Sequence, residues 1–214
     1  MIEKIEKQEW EKCQEFEKTW WSNHLKAIQS NIIKETPSEW TLFDNPFMHK
    51  YIMEISKDKI VIDIGCGPII QHIIGRIECR LGIGVDPLLD EYKKSGWTVP
   101  VTDKCIPIIS KSENLPFMNG YADIIVTINA LDHMNDARAS IQEMVRVLKP
   151  GGYLFINTDM RTPEQRQEGH FICIDNEFIG SIVADNKLQI IYQDIIHLER
   201  KGVLNTWMGI YKTA

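Results

Sequence analysis

Three short stretches of the chain place acids, glycines and a histidine where small-molecule chemistry would need them. The first is Asp63-Ile64-Gly65-Cys66-Gly67, which closes the β-branched run Ile60-Val61-Ile62. Glycines at such a bend let the backbone approach a ligand and take torsions closed to other residues. A dinucleotide fingerprint would continue to a third glycine and rest a pyrophosphate on the next helix. That third position is Ile70 here, and an acid stands just before the glycines instead. A carboxylate there repels a pyrophosphate and suits a ligand carrying positive charge.

The second stretch, Gly82-Ile83-Gly84-Val85-Asp86-Pro87, ends the next strand-like run. Asp86 follows the glycines at the distance where an acid accepts hydrogen bonds from both hydroxyls of a ribose. The third is Asn129-Ala130-Leu131-Asp132-His133. Histidine titrates nearest neutral pH, so His133 is the candidate general base and Asp132 its orienting partner. The plainer alternative makes both a polar loop and helix cap ahead of Ala137.

These stretches fall at the ends of predicted strands. Residues 60–64, 80–85, 106–109, 121–128 and 153–157 read as strands, with helices over 68–78, 88–94 and 137–148 between them. The stripe Ile141, Met144, Val145 and Leu148 marks the last helix, and Lys149-Pro150-Gly151-Gly152 stops it. A helix over 176–184 precedes strands over 188–198 and 203–211, joined as a hairpin through Glu199-Arg200-Lys201-Gly202. Alternating strands and helices predict a doubly wound α/β domain. Its mostly parallel seven-stranded sheet carries helices on both faces and an antiparallel C-terminal hairpin strand. Ahead of it, residues 3–33 have apolar residues at helical spacing (Phe16, Trp20, Ile28, Ile32, with Trp21 and Leu25 alongside), which predicts one or two amphipathic helices. Thr36-Pro37-Ser38 breaks that pattern, and a short loop from Trp40 leads into another helix that ends near residue 57.

Two further segments complete an ordered set: Glu113-Asn114-Leu115-Pro116-Phe117 with Tyr121-Ala122-Asp123-Ile124-Ile125-Val126, and Leu148-Lys149-Pro150-Gly151-Gly152-Tyr153-Leu154. Together with VIDIGCGP and GIGVDP they resemble the successive motifs of class I S-adenosylmethionine-dependent methyltransferases, over about half of the chain. The resemblance implies a Rossmann-like fold, with S-adenosylmethionine as cofactor. It also implies that Gly65 and Gly67, with Cys66 between them, pass beneath the methionine part of the cofactor. Asp63 would orient its amino group, Asp86 would hold the ribose, and Asn129 and Ala130 would flank the methionine end. The family often has an aspartate four residues before Leu115; Lys111 stands there instead. Adenine contact is therefore assigned to the Ser112 backbone and to Glu113.

Residues 1–57 are expected to form a helical lid or substrate segment and residues 58–214 the cofactor-binding domain. The lid is crowded with Trp10, Phe16, Trp20, Trp21, Trp40, Phe43, Phe47 and Tyr51. Most are expected to be buried against the sheet. Trp20 and Trp21 cannot both point inward, so one of them, assigned as Trp21, reaches the cofactor, where an aromatic face attracts a sulfonium. This Trp-Trp segment is similar to the N-terminal segments of methyltransferases of surface-polysaccharide pathways, which favours sugar-type acceptors.

The bulk properties exclude several classes. A net charge of −6 argues against non-specific nucleic-acid binding, and no motif of a DNA methyltransferase follows the fourth strand. The five cysteines sit at no C-x-x-C spacing, which reads as reduced thiols in a cytoplasmic enzyme. There is no signal-peptide pattern and no apolar run of membrane-spanning length. The six histidines show no ligand spacing, so no metal is expected. Arg161 and Arg166 are candidates for an anionic acceptor. The reading is thus a methyltransferase acting on an O or N atom of a small-molecule or sugar-type acceptor, without DNA or membrane partners. A homodimer is left open. The alternatives are a methyltransferase-like binding protein without catalysis, an RNA methyltransferase, and a nicotinamide-dependent dehydrogenase, the last disfavoured by Ile70 and Asp63.

Overall fold

β-Branched runs make the central strands, and their order along the chain makes the sheet. The computed structural model describes residues 2–30, 45–69, 73–98, 104–200 and 203–214. Ile32, the 36–38 breaker, Trp40, Phe43, Ile70 and the hairpin residues Lys201 and Gly202 lie outside the described residues. The elements are α1 (Lys7–Gln29), α2 (Pro46–Ile55), β1 (Ile60–Ile64), β2 (Leu81–Val85), α3 (Leu89–Lys94), β3 (Cys105–Ile108), β4 (Ala122–Ile128), α4 (Ala137–Val147), β5 (Leu148–Met160), α5 (Asn176–Asp185), β6 (Gln189–Arg200) and β7 (Val203–Lys212).

The seven strands form one sheet in the order β3-β2-β1-β4-β5-β7-β6. β1 pairs in parallel with β2 and with β4, while β7 runs antiparallel to both β5 and β6. The chain therefore winds outward in one direction from β1 and in the other from β4. The crevice beyond the C-terminal ends of those two strands is the switch point where ligands bind in such sheets. The doubly wound expectation holds, including its single antiparallel strand.

Alternation along the strands supplies two cores. Ile62 and Ile64 of β1 face α4 and α5, packing with Ile141, Met144, Phe178 and Ile182. Val61, with Ile124 and Val126 of β4, faces α2 and α3 and packs with Met48, Ile52, Leu89 and Tyr92. Side-chain caps start the helices. Asn45 accepts from the Met48 N–H ahead of Pro46, Asp136 from Ala139, and Asp175 from Phe178.

Two expectations are corrected. The described part of 68–78 holds no α-helix, only a 3₁₀ turn at Ile74–Arg76. Ile74 packs so closely on β2 that a Cβ at Gly82 would stand 2.0 Å from its side chain. Among the described residues the N-terminal pattern makes one helix, within the expected one or two, with Cys13 its one buried residue. β5 runs three residues past Asn157, because β7 keeps pairing with it as far as Met160↔Asn205. That extension carries Asp159 and Arg161 to the crevice. Among the described residues, no helix is long and apolar enough to cross a membrane.

Candidate active site

A cavity of about 570 Å³ opens beyond the C-terminal ends of β1, β2 and β4 and is roofed by α1. Its size falls within the ~300–1,000 Å³ of small-molecule sites. Of the twelve residues assigned to catalysis or cofactor binding from the sequence, all except Asp132 line it, and Asp132 lies behind its wall, fully buried.

The glycine bend forms its floor. Gly65 (φ +74°) donates its N–H to the Val85 carbonyl at 2.8 Å, which locks the bend to β2. Gly67 (φ +59°) donates to Asp86 Oδ2 at 3.0 Å, and Leu88 N–H donates to Asp86 Oδ1 at 2.8 Å. Asp86 thus ties the bend to the end of β2. Asp63 is also buried, and among the described residues its carboxylate meets no hydrogen-bond donor. Burial and the neighbouring Asp86 charge push its pKa up to about 8. Burial pushes Asp86 up to about 6, against the pull of its two backbone donors. Two desolvated acids side by side, neither in an ion pair among the described residues, make this end of the cavity a site for positive charge. Burial pushes the Cys66 thiol well up, which leaves it inert as a nucleophile.

The adenine-side residues Ser112 and Glu113 line the cavity while their side chains hold neighbouring elements. Ser112 Oγ lies 2.8 Å from Ser140 Oγ. Glu113 Oε1 accepts the backbone N–H groups of Asn135 (2.8 Å) and Asp136 (3.0 Å), so its carboxylate is committed to the start of α4. Lys111 sets its ammonium over the Trp10 ring, 3.5 Å from the centroid, which ties this loop to α1.

The aromatic residues of α1 depart from the expectation of burial against the sheet. Trp10, Phe16, Trp20 and Trp21 are half-buried and line the cavity. Trp21 lies over the glycine bend, its Cζ2 3.3 Å from where a Gly67 Cβ would stand, and stacks edge-on against Trp97 and Tyr92. Phe16 packs on Gly169 (φ +84°), where a Cβ would come within 2.3 Å of its ring. Gly169→Ala is therefore expected to displace Phe16 and loosen α1 by about 1–3 kcal/mol. In a thermal melt the loss should be several degrees, and much smaller in a Phe16→Ala background.

The opposite end of the cavity gathers charges that the sequence keeps far apart. Asp132 Oδ2 lies 2.7 Å from His170 Nδ1 and 3.7 Å from Arg161 Nε. Its Oδ1 accepts from Thr158 Oγ1 at 3.3 Å and lies 3.7 Å from His133 Nε2. Burial alone would raise its pKa, but His133, His170 and Arg161 hold it well below the carboxylate range. His133 Nδ1 pairs with Glu17 of α1 at 3.1 Å. Burial would lower the pKa of His133, but Glu17, Asp132 and Asp159 reverse this and raise it. Arg161 is buried between Asp132 and Asp159, at 3.3 Å from the latter. Arg166 does not face the cavity; it pairs with Glu9 and stacks on Phe171.

Sequence reasoning therefore missed His170, Glu17 and Asp159. His170 stands 38 residues from Asp132, and no spacing rule links them. Donor atoms of Asp132, His133 and His170 lie within 4.8 Å of one another, a grouping able to hold a metal ion. The Arg161 guanidinium beside Asp132 already supplies positive charge there and would oppose a divalent cation.

Comparison with known proteins agrees with this geometry. Residues 62–156 match a family model described as a methyltransferase domain. The mitochondrial ubiquinone biosynthesis O-methyltransferase of Rattus norvegicus is 32% identical over 108 residues, 48% of this chain and 31% of that protein. Matched segments span between 27% and 43% of the first curated relatives. A chain from a complex containing the Haloferax volcanii Trm112 methyltransferase activator superposes with a TM-score of 0.68 at 14% identity, covering 92% of this chain and 97% of that one. An S-adenosylmethionine-dependent methyltransferase of Methanosarcina mazei gives 0.54 at 18% identity, covering 78% and 97%. These likenesses show the fold.

Proposed function

We propose that this chain is a class I S-adenosylmethionine-dependent methyltransferase and that it transfers a methyl group to an oxygen or nitrogen atom of a small-molecule or sugar-type metabolite. The observation that carries this reading is the polarity of this cavity. One end holds Asp63, an unpartnered buried carboxylate, with Asp86 beside it. The other end holds two histidines set against carboxylates.

The residues fit the cofactor. Asp63 would receive its ammonium and Asp86 its ribose hydroxyls. The backbone of Gly65, Cys66 and Gly67 would pass beneath the methionine part. Asn129 and Ala130 would flank that part, Trp21 would cover it, and Ser112 and Glu113 would border the adenine. When bound, the cofactor supplies an activated methyl group, so the protein has mainly to align the acceptor and exclude water. The α1 roof performs the second task, in keeping with residues 1–57 as a lid on a cofactor-binding domain of residues 58–214. A cavity of about 570 Å³ leaves room for a small acceptor beside the cofactor rather than for a polymer.

Ligand-dependent melting tests the cofactor assignment, because only a ligand bound by the native state raises stability. S-Adenosylhomocysteine at a hundredfold excess over its dissociation constant should add about 2.7 kcal/mol, a shift of several degrees. NAD should add nothing. Absence of a shift with S-adenosylhomocysteine, together with no heat of binding by calorimetry, overturns the reading.

A further inference from the structure

The loop after β4 pairs His133 with Asp132 in sequence, yet in the folded chain another histidine takes that carboxylate. Asp132 Oδ2 and His170 Nδ1 lie 2.7 Å apart, whereas the nearest approach of His133 to Asp132 is 3.7 Å. The two imidazoles lie side by side, 4.3 Å between centroids, at the same wall of the cavity. Their surroundings differ. His133 lies between two carboxylates, Glu17 3.1 Å from Nδ1 and Asp132 3.7 Å from Nε2, and neither contact is a formed hydrogen bond that would fix its tautomer. His170 spends only Nδ1 on a carboxylate, and its Nε2 has no hydrogen-bond partner among the described residues.

We propose that His170, oriented by Asp132, is the group that takes the proton from the methyl acceptor, with a hydroxyl as the acceptor class. This rests on the transferase reading above and replaces His133 in the role that the sequence suggests for it. A buried carboxylate accepting the Nδ1–H fixes the neutral ring in one tautomer and leaves a lone pair on Nε2. As the hydroxyl oxygen forms its bond to the methyl carbon, its proton passes to His170 Nε2. The carbon–sulfur bond breaks with its electron pair staying on the sulfur, which leaves a thioether. Asp132 then faces an imidazolium, with its charge shared among His133, Arg161 and His170, and Asp159 lies beyond Arg161.

His133 becomes the strut between the lid and this pair. Its ion pair with Glu17 brings α1 down onto the Leu131–His133 turn, and Phe16 of the same helix packs edge-on against His170 at 6.0 Å. Loss of His133 should then weaken lid closure without removing the base.

Nitrogen-resolved NMR of the full chain labelled with ¹⁵N-histidine tests this without any acceptor. The neutral His170 ring should carry its proton on Nδ1, and Asp132→Asn should shift it toward the opposite tautomer. A second readout uses transfer of labelled methyl from S-adenosylmethionine to catechol as the probe acceptor. His170→Ala should lose at least ~100-fold in turnover with little change in S-adenosylhomocysteine affinity, and added imidazole should restore part of it. His133→Gln should lose less than ~10-fold. A proton on Nε2 of wild-type His170, or a larger loss in His133→Gln than in His170→Ala, overturns the proposal. The spectrum decides the assignment even if catechol is not methylated. Failure of the transferase reading shows separately, as absence of S-adenosylhomocysteine binding.

Discussion

Gly65→Ala is expected to lower affinity for S-adenosylhomocysteine at least ~100-fold, equivalent to about 2.7 kcal/mol. Two independent costs meet at this position. The φ of +74° is one that an L side chain adopts only with strain, worth about 1–3 kcal/mol. A Cβ would also stand 2.3 Å from Ala130 Cβ, a distance real side chains do not show. Neither partner can give way cheaply. Gly65 is held by its N–H bond to the Val85 carbonyl, and the neighbouring Asn129 by its own bond to Asn157 at 2.7 Å. The clash must therefore open the cavity where the bend and the β4 loop meet, at the end assigned to the methionine part. Gly67→Ala should be milder, within ~10-fold, because the added methyl meets the Trp21 ring at 3.3 Å and a side chain can shift. Ala130→Gly removes the opposing methyl, so in the Gly65→Ala background it should recover the packing cost and leave the backbone cost. Calorimetric titration of the four variants, with melts to check folding, gives the ranking. Near wild-type affinity in Gly65→Ala, or a worse defect in Gly67→Ala, would show that the bend does not form the ligand floor.

Much of the fold and one end of the site could be read from the sequence, because the signals there are local. A β-branched run followed by Gly65-Cys66-Gly67 states both a strand and its turn, and Asp86 follows from the next strand's end. At the opposite end Asp132, His133 and Arg161 were legible but their partners were not, since those are brought together by tertiary contacts. Asp132 meets His170 only because β5 continues past Asn157, and it continues because β7 pairs with it. Nothing local marks Glu17 as the partner of His133; on α1 it looks like one more solvated acid. Glu113 carries a second duty of the same kind. Its position in the motif places it at the cavity, and there the N–H groups where α4 begins also claim its carboxylate, a contact no local signal states. The expected helix over 68–78 failed for a packing reason, since the described turn there lies flat on Gly82 of β2.

Asp63 should make cofactor binding release a proton and make the ligand-free protein less stable as pH rises. The carboxyl titrates from an ordinary value of 3.8 to about 8 in the folded chain, because it is buried and lies beside Asp86. Below about 4 it is protonated in both folded and unfolded states, and the full stability is present. Between that value and about 8, the unfolded chain binds less proton than the folded one, so stability falls by up to ~1.4 kcal/mol per unit of pH. Above about 8 the loss is constant. Asp63→Asn removes that loss, so without ligand the variant should outlast wild type in melts at pH 8 and match it at pH 4. Binding should show the opposite balance. An ammonium beside Asp63 favours its ionised form, so wild-type affinity for S-adenosylhomocysteine should rise up to ~10-fold per unit of pH as the pH approaches about 8. Measurement between about pH 6.5 and 7.5 stays above the titration of Asp86, near 6, and keeps the ligand's ammonium charged. Calorimetry in two buffers of different ionisation enthalpy should detect release of close to one proton in wild type and almost none in Asp63→Asn, which should also bind more weakly. Equal pH slopes in the two proteins would mean that Asp63 does not meet the ligand's positive charge. The gain in ligand-free stability from Asp63→Asn would then be the cost of burial alone.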